Sequence, residues 1–316
     1  SRESMDCAVM LQELVAMGVS NIITFDAHDP RVQNAIPLSG FESIMPTYQM
    51  LKAMCHTYDD LRIDKHHMMV ISPDEGALNR NIYYSSAMGV DMGMFYKRRD
   101  YTRVVNGRNP IVAHEYLGDS VEGKDVFVAD DIIASGDSIL DLAYNLKKRK
   151  AKRVFAGATF AFFTSGLEAF DKAYADGVID HVFATNLTYT PQAVLDRPWF
   201  SQADMSKYIS YIIASLNHDR SLSRLLNPYS RIKNLIERYH EQQTAGNGGV
   251  AESPRDRRAP LHHCRAPGRY RPHRSPLQHT GLPAASAPAG AGTSSRSSPA
   301  GCPAPPPRRR ESAACR

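Results

Sequence analysis

Up to about residue 239, short apolar runs alternate along the chain with segments whose apolar residues recur every three or four positions. The short runs predict β-strands, and the longer period predicts amphipathic helices. Strands are predicted at 20–28, 67–75, 90–99, 125–132, 153–161 and 181–188. Helices are predicted at 6–18, 48–58, 77–89, 138–151, 166–177, 204–216 and 228–242. Such alternation favours an α/β fold with a parallel sheet covered by helices on both faces.

The pattern changes at about residue 240, after which proline, alanine, glycine and arginine dominate. Residues 251–316 hold 12 of the 20 prolines and 12 arginines but no lysine. Of the net charge of +5, this segment accounts for +9, so residues 1–250 carry −4. We expect residues 241–316 to be a disordered tail, because they lack the apolar side chains that would offset the entropy of ordering them. A nucleic-acid-binding arm and a GC-rich gene stretch translated in a wrong frame are two interpretations of this tail.

The remaining composition narrows the class of protein. The mildly acidic body is not typical of a nucleic-acid-binding protein, and no run of about 18 apolar residues predicts a membrane-spanning helix. The N-terminus lacks the basic and then apolar pattern of a secretory signal. Five scattered cysteines without CxxC spacing argue against a zinc site and suit a reducing compartment. We therefore expect a cytoplasmic protein without membrane or nucleic-acid partners.

Polar residues follow several predicted strands at the end where ligands bind in open parallel sheets. FDAHDP at 25–30 places His28 after a strand, although a lone histidine is more often structural or on the surface. ISPDEG at 71–76 places Asp74 before a helix, which it could cap, or whose N-terminus could bind an anion. FYKRRDYTRVVNGRNP at 95–110 is crowded with cations. It is either a solvated basic loop or a lid that brings cations to a polyphosphate.

The most specific arrangement is VFVADDIIASGDS at 126–138. An apolar strand ends in Asp130 and Asp131, and small residues around Gly136 then open a helix. Gly136 and the helix N-terminus suit a phosphate group. The two carboxylates suit ribose hydroxyls, or a Mg²⁺ ion bound through water. The alternative is an ordinary strand, turn and helix with aspartate caps, although the aspartate pair precedes the turn.

This stretch resembles the phosphoribosyl-pyrophosphate-binding loop of type I phosphoribosyltransferases. Taken with FDAH, SPDEG and YKRR in this order, it is similar to the ribose-phosphate pyrophosphokinase family, in a divergent form found in Clostridia-like bacteria. The resemblance runs from residue 1 to about 239. It implies an enzyme of nucleotide biosynthesis that transfers the pyrophosphoryl group of ATP to the 1-hydroxyl of ribose 5-phosphate, giving AMP and phosphoribosyl pyrophosphate.

The resemblance also implies roles for residues outside the opening strand-and-loop stretch. His28 and Asp74 match positions associated with Mg²⁺ near the ATP phosphates. Lys97 and Arg99 match the catalytic cations of a mobile loop. Mg²⁺ is therefore the expected cofactor, and ATP the expected co-substrate.

Within that stretch, Asp130 and Asp131 match the family's ribose-binding acids. The implied 5-phosphate loop consists of Ala134, Ser135, Gly136, Asp137 and Ser138. Ala134 and Asp137 depart from the family's loop, which usually starts with aspartate and has a small residue where this chain has Asp137. An acid at position 137 would repel a phosphate unless it points outward.

The implied fold is a type I phosphoribosyltransferase-like parallel sheet flanked by helices. The chain begins where the family is already under way, so residues 1–45 are expected to be the remnant of a second, similar domain. Residues 46–200 would form the catalytic domain and residues 201–240 the C-terminal helices. We expect an exposed sheet edge in the remnant, and weak product formation because the adenine-binding half is absent. The family is usually oligomeric, which implies a homo-oligomer.

Two other functions stay open. One is a nucleobase phosphoribosyltransferase, which would use the same loop, although FDAH and YKRR weigh against it. The other is a noncatalytic subunit that assembles with a full-length synthetase, although the retained site residues weigh against loss of catalysis.

Overall fold

The computed structural model describes residues 5–99 and 111–246, with the backbone alone at 97–99, 111–114, 245 and 246. The chain divides into two units, Ser1–Ser253 and Pro254–Arg316, and every described residue lies in the first. The predicted tail beyond residue 246 and residues 100–110 of the basic segment lie outside the described residues.

The described strands and helices agree with the predicted alternation, and their ends differ by a few residues. The strands are β1 (Asn21–Phe25), β2 (Gly40–Ile44), β3 (Met68–Ser72), β4 (Asp91–Arg99), β5 (Ile111–Leu117), β6 (Asp125–Ile133), β7 (Arg153–Ala161), β8 (His181–Thr185) and β9 (Phe200–Ala203). The helices are α1 (Asp6–Ala16), α2 (Thr47–Thr57), α3 (Leu78–Met88), α4 (Asp137–Lys148), α5 (Glu168–Ala175), α6 (Gln192–Leu195), α7 (Ser206–Asn217), α8 (Ser223–Leu226) and α9 (Tyr229–Gly246). A 3₁₀ helix, Pro30–Ala35, lies between β1 and β2.

Seven of the described strands form one sheet in the order β5-β4-β3-β6-β7-β8-β9. Neighbouring strands are parallel except β4 and β5, which pair antiparallel. The predicted parallel α/β sheet is therefore confirmed. The sequence pattern did not indicate β2, β5 or β9. The strand β9 has only four residues, and polar residues interrupt the apolar pattern of β2 and β5.

Helices cover both faces of this sheet, and successive side chains of β6 show how. Val126 and Val128 belong to a buried apolar cluster that includes Leu142 of α4. Phe127 lies on the other face, in a second cluster with Tyr84 of α3. Because adjacent residues of a strand point to opposite faces, a strand covered on both sides is apolar throughout. That requirement explains the apolar run from Val126 to Ala129 in β6.

The strands β1 and β2 form a separate parallel pair, and neither pairs with another described strand. Ile44 of β2 is buried in a third apolar cluster, with Tyr208 and Ile212 of α7. The helix α7 therefore covers one face of the pair. The proposed division of the chain at residues 45, 200 and 240 remains a prediction, and α9 continues beyond residue 240 to Gly246. Among the described helices, none combines the length and apolarity that a membrane crossing requires.

Candidate functional site

The strand β6 carries Asp130 and Asp131 to the carboxyl edge of the parallel sheet. Asp131 is buried, with 6% of its side chain exposed, whereas 23% of the Asp130 side chain is exposed. The backbone N–H of Asp131 donates to Oδ1 of Asp130 over 2.9 Å. The two carboxylates therefore lie at a partly closed strand end, where isolated negative charges would be costly.

A buried arginine on α3 compensates these charges. Arg80, whose side chain is 8% exposed, places Nη1 3.5 Å from Oδ1 of Asp130 and Nη2 3.5 Å from Oδ1 of Asp131. Its Nε donates to both oxygens of Asp26, over 2.9 Å and 3.0 Å. One guanidinium group therefore contacts three carboxylates from two distant parts of the chain. We call Asp26, Arg80, Asp130 and Asp131 the carboxylate cluster.

Asp26 joins the β1–β2 pair to the main sheet. It follows β1 with a backbone φ of 46°, which is uncommon for a residue other than glycine. Its backbone N–H donates to the carbonyl of Ile44, and the Thr159 hydroxyl of β7 donates to its Oδ2 over 2.6 Å. The buried carboxylate is thus hydrogen-bonded by both Arg80 and Thr159. Such a fixed position orients Arg80 toward the two aspartates of β6.

His28 is also brought to the carboxylate cluster. Its Nδ1 lies 2.7 Å from Oδ2 of Asp131, while 83% of its side chain is exposed. The sequence placed His28 and Asp131 in the same candidate site, and the structure puts them in direct contact. Since one ring nitrogen contacts Asp131 and the ring is open to solvent, His28 can meet a ligand at the entrance of the site.

The pKa values of the three carboxyl groups in the carboxylate cluster are shifted in different directions. Burial, followed by the hydrogen bond with Asp131 and the charge of that neighbour, raises the pKa of Asp130. Burial also acts to raise the pKa of Asp131, but Asp130, Arg80 and His28 together hold it below its ordinary value. Burial raises the pKa of Asp26 despite the opposing charge of Arg80. Asp131 is therefore the firmly ionised member of the pair, and Asp130 is the one that binds a proton more readily.

The predicted phosphate loop lies between β6 and α4. Gly136 has a backbone φ of 94° and stands immediately before the first residue of α4, where no side chain caps the helix N-terminus. A Cβ atom at this position would overlap the ring of Phe170. The loop is held from the other side by Thr164, whose N–H donates to the carbonyl of Ala134 over 2.8 Å. An uncapped helix N-terminus on a fixed glycine turn suits an anion.

Asp137 is the residue of this loop that fits an anion least. It is exposed, and its Oδ2 accepts a hydrogen bond from the Ser135 hydroxyl over 2.9 Å. The Ser135 hydroxyl also accepts from the N–H of Asp137 over 3.4 Å. Ser138 is exposed in the first turn of α4. A phosphate that uses the Ser135 hydroxyl must therefore replace its bond with Asp137.

Asp74 lies in the turn before α3 and bonds to the residue that precedes the helix. Its Oδ1 accepts from the backbone N–H of Ala77 over 3.2 Å, and the Ser72 hydroxyl donates to its carbonyl over 2.8 Å. Across the residues that the structure describes, no three His, Cys, Asp or Glu side chains are grouped to hold a metal ion. A Mg²⁺ ion that keeps several waters needs only one or two protein carboxylates beside substrate phosphates, and the Mg²⁺ site at His28 and Asp74 remains a prediction.

Lys97 and Arg99, the predicted catalytic cations, lie on β4. Their backbones pair with His114 and Ile111 of β5. Their side chains, and residues 100–110 that follow, lie outside the described part of the chain. Their catalytic role remains a prediction.

Sequence reasoning missed Asp26, Arg80 and Thr159. Asp26 is part of FDAH, but His28 was the only residue of that motif singled out. Arg80 ends SPDEGALNR, where an arginine in the first turns of an amphipathic helix is typical of a solvated face. In the structure, burial and a positive φ mark Asp26 as unusual. Neither property can be read from the sequence.

Comparison with known proteins extends these observations. Residues 43–186 match the phosphoribosyl transferase domain. The chain is 29% identical to ribose-phosphate pyrophosphokinase of Vibrio cholerae, over 72% of this chain and 67% of that protein. It is 26% identical to ribose-phosphate pyrophosphokinase of Chromobacterium violaceum, over 72% of this chain and 64% of that protein.

A solved structure shows the same fold. The crystal structure of phosphoribosylpyrophosphate synthetase from Mycobacterium smegmatis is 19% identical and matches with a TM-score of 0.56, over 69% of this chain and 66% of that one. The predicted phosphoribosyltransferase-like fold and the resemblance to ribose-phosphate pyrophosphokinases are confirmed. The chain spans about two thirds of the length of these relatives.

Replacing Gly136 tests the loop geometry. Gly136→Ala should cost more stability than Gly89→Ala, because alanine is strained at the positive φ of both sites but meets the Phe170 ring only at position 136. We expect a loss of about 1–2 kcal/mol for Gly89→Ala and a further loss of about 1–3 kcal/mol for Gly136→Ala. Urea denaturation of both variants measures the difference. Equal losses would contradict the described contact between the loop and Phe170.

Replacing Arg80 tests the carboxylate cluster. Arg80→Gln should lower the free energy of unfolding by about 3–5 kcal/mol at pH 7, because buried carboxylates lose their cation. Without Arg80 the folded-state pKa values of Asp26 and Asp130 rise further above the unfolded values, and that of Asp131 loses a charge that lowers it. The loss should therefore grow as pH rises above about 4 and shrink toward acid. Denaturation at several pH values measures this dependence.

Arg153→Gln is the matched control for Arg80→Gln. Arg153 is 14% exposed and pairs with Asp125 and Asp60, away from the carboxylate cluster. Arg153→Gln should also lose stability, but the contacts within the carboxylate cluster should be unchanged. An Arg80→Gln variant as stable as the wild type at pH 7 would show that Arg80 does not compensate the cluster.

Proposed function

We propose that this chain, which contains a phosphoribosyl transferase domain and resembles ribose-phosphate pyrophosphokinases, binds ribose 5-phosphate and transfers to it the pyrophosphoryl group of ATP. The observation that carries the proposal is the position of the carboxylate cluster directly before the uncapped N-terminus of α4. Carboxylates accept hydrogen bonds from hydroxyl groups, and the helix N-terminus accepts an anion. One ligand that has both groups is a sugar phosphate.

In this proposal the two aspartates of β6 bind the sugar ring. Asp131, held ionised by Arg80 and His28, accepts hydrogen bonds from ribose hydroxyls. The 5-phosphate binds the backbone N–H groups of residues 135–138 and the positive end of the α4 dipole. Gly136 lets the backbone approach the phosphate.

The reaction consists of an attack by the 1-hydroxyl oxygen of ribose 5-phosphate on the β-phosphorus of ATP. A bond forms between that oxygen and the β-phosphorus, and the bond from the β-phosphorus to the oxygen it shares with the α-phosphorus breaks. AMP leaves with that oxygen and its electron pair. The hydroxyl proton needs an acceptor, and Asp130 suits this role because its raised pKa brings it closer to the operating pH.

Negative charge develops on the nonbridging phosphate oxygens during this transfer. Lys97 and Arg99 are assigned to these oxygens, where positioned cations stabilise the transition state. Mg²⁺ bound with the ATP phosphates would add further positive charge, and His28 and Asp74 are the residues assigned to it. Assembly into a homo-oligomer and a cytoplasmic location belong to the same proposal and rest on the family resemblance and the sequence.

Asp130 gives the sharpest test of ligand binding. At a pH above the raised pKa of Asp130, Asp130→Asn should weaken ribose 5-phosphate binding about 10-fold or more, since a hydrogen bond to a charged group contributes about 1.5–3 kcal/mol. Isothermal titration calorimetry on the full chain measures the affinity. The matched control is Asp60→Asn, an exposed aspartate that pairs with Arg153, for which no change is expected. Unchanged affinity in Asp130→Asn would refute the assignment of the sugar site.

The products distinguish the proposed reaction from its competitors. With ribose 5-phosphate, Mg²⁺ and ATP, ³¹P NMR should show AMP and phosphoribosyl pyrophosphate appearing in equal amounts. Lys97→Ala should slow the reaction about 100-fold, whereas Lys233→Ala on α9 should not change it. Formation of ADP instead of AMP would contradict pyrophosphoryl transfer. Conversion of a nucleobase with phosphoribosyl pyrophosphate and without ATP would indicate a nucleobase phosphoribosyltransferase.

A further inference from the structure

A cavity of about 570 Å³ lies in a part of the domain that the proposed reaction does not use. Its walls come from α2, β9, α7 and α9, and no residue of the carboxylate cluster or of the phosphate loop lines it. The volume lies within the range of about 300–1,000 Å³ that is usual for small-molecule sites. It therefore has room for more than an inorganic anion.

The charges that line this cavity are mostly positive. Lys52 of α2, Lys207 of α7 and Arg231 of α9 all contribute to its walls. In the described part of the chain, none of the three forms an ion pair with a carboxylate. Asp204 is the acidic residue of the lining, and its Oδ1 already accepts from the side chain of Asn186 and the N–H of Ser206. Hydrogen bonds from Ser206 and Asn186, together with the charge of Lys52, hold the pKa of Asp204 below its usual value. The lining still carries three cations and one carboxylate, a balance that favours a bound anion.

One of these cations is held in place by an aromatic ring. The Arg231 guanidinium lies over Tyr48, with its Cζ 4.3 Å from the ring centroid. A guanidinium group stacked in this way keeps its N–H donors at the edge of the plane, where they can bind a phosphate in two places at once. Arg231 is therefore a better fixed phosphate ligand than an exposed lysine.

The cavity also offers groups that suit an organic ring. Gln49 is 9% exposed and lines the wall. Its side-chain amide can both donate to and accept from a ligand. Tyr211 is 50% exposed at the same wall, with Nζ of Lys207 over one face of its ring, 5.8 Å from the centroid. Such surfaces bind flat rings.

We propose that this cavity binds a nucleoside monophosphate, with the phosphate between Lys52, Lys207 and Arg231 and the base against Gln49 and Tyr211. The three cations match the phosphate, the Gln49 amide matches the hydrogen-bonding edge of a base, and the Tyr211 ring matches its face. The site is separate from the carboxylate cluster, so this proposal does not depend on the proposed reaction.

Amide hydrogen exchange on the full chain locates the binding. In the wild type, a saturating concentration of AMP should slow amide hydrogen exchange at residues 48–57 and 229–240. The AMP concentration that gives half of this protection (the midpoint) should rise about 10-fold or more in Arg231→Gln and in Lys52→Gln. Each of these substitutions removes a charged phosphate ligand. Lys52 is exposed, so its variant is expected to fold normally. Lys233→Gln, on the same helix as Arg231 and outside the lining, should leave the midpoint unchanged.

The other outcomes are equally decisive. Absence of protection in the wild type, or an unchanged midpoint in both Arg231→Gln and Lys52→Gln, would overturn the proposal. Loss of the same protection in Asp130→Asn would assign the effect to the carboxylate cluster. If inorganic phosphate protects these segments at the same concentration as AMP, the assignment to a nucleotide is overturned. If adenosine protects them at that concentration, the role of the phosphate is overturned.

Discussion

The ion pairs of one buried arginine are the interaction on which the candidate site depends. Arg80 contacts Asp26, Asp130 and Asp131, and these three carboxylates would repel one another without it. Because a buried charge needs a partner, the position of Arg80 fixes where all three can be. The arginine comes from α3, and its partners come from the ends of β1 and β6, so the site exists only when these elements are assembled.

Packing in the rest of the domain fixes the positions of these charged residues and of the loop before α4. Central strands that are apolar on both faces bring their carboxyl ends to one edge of the sheet. The Thr159 hydroxyl of β7 fixes Asp26 from one side, and Phe170 leaves space for only a glycine at position 136. The carboxylates of the cluster and the N-terminus of α4 are therefore positioned by packing at different places in the core. This separation lets one end of the site bind hydroxyl groups while the other binds an anion.

Local sequence signals predicted the parts of the fold that depend on neighbouring residues. The period of apolar positions indicated the parallel strands and their helices, and the Asp130–Asp131 pair followed by Gly136 indicated a strand end and a phosphate loop. Signals between distant residues were not visible. Arg80 looked like a surface residue of a helix, and its burial depends on Asp26, which lies 54 positions earlier. Asp74 had two possible roles in the sequence, and its hydrogen bond with Ala77 is visible only in the structure.

A crystal structure of the full chain with ribose 5-phosphate would show whether the carboxylate cluster and the loop before α4 form one sugar-phosphate site. We expect the phosphate at the backbone N–H groups of residues 135–138, with ribose hydroxyls on the carboxylates of Asp130 and Asp131. We also expect Arg80 to keep its contacts with both aspartates in the complex. A phosphate bound elsewhere, with the carboxylate cluster free of the sugar, would contradict this expectation.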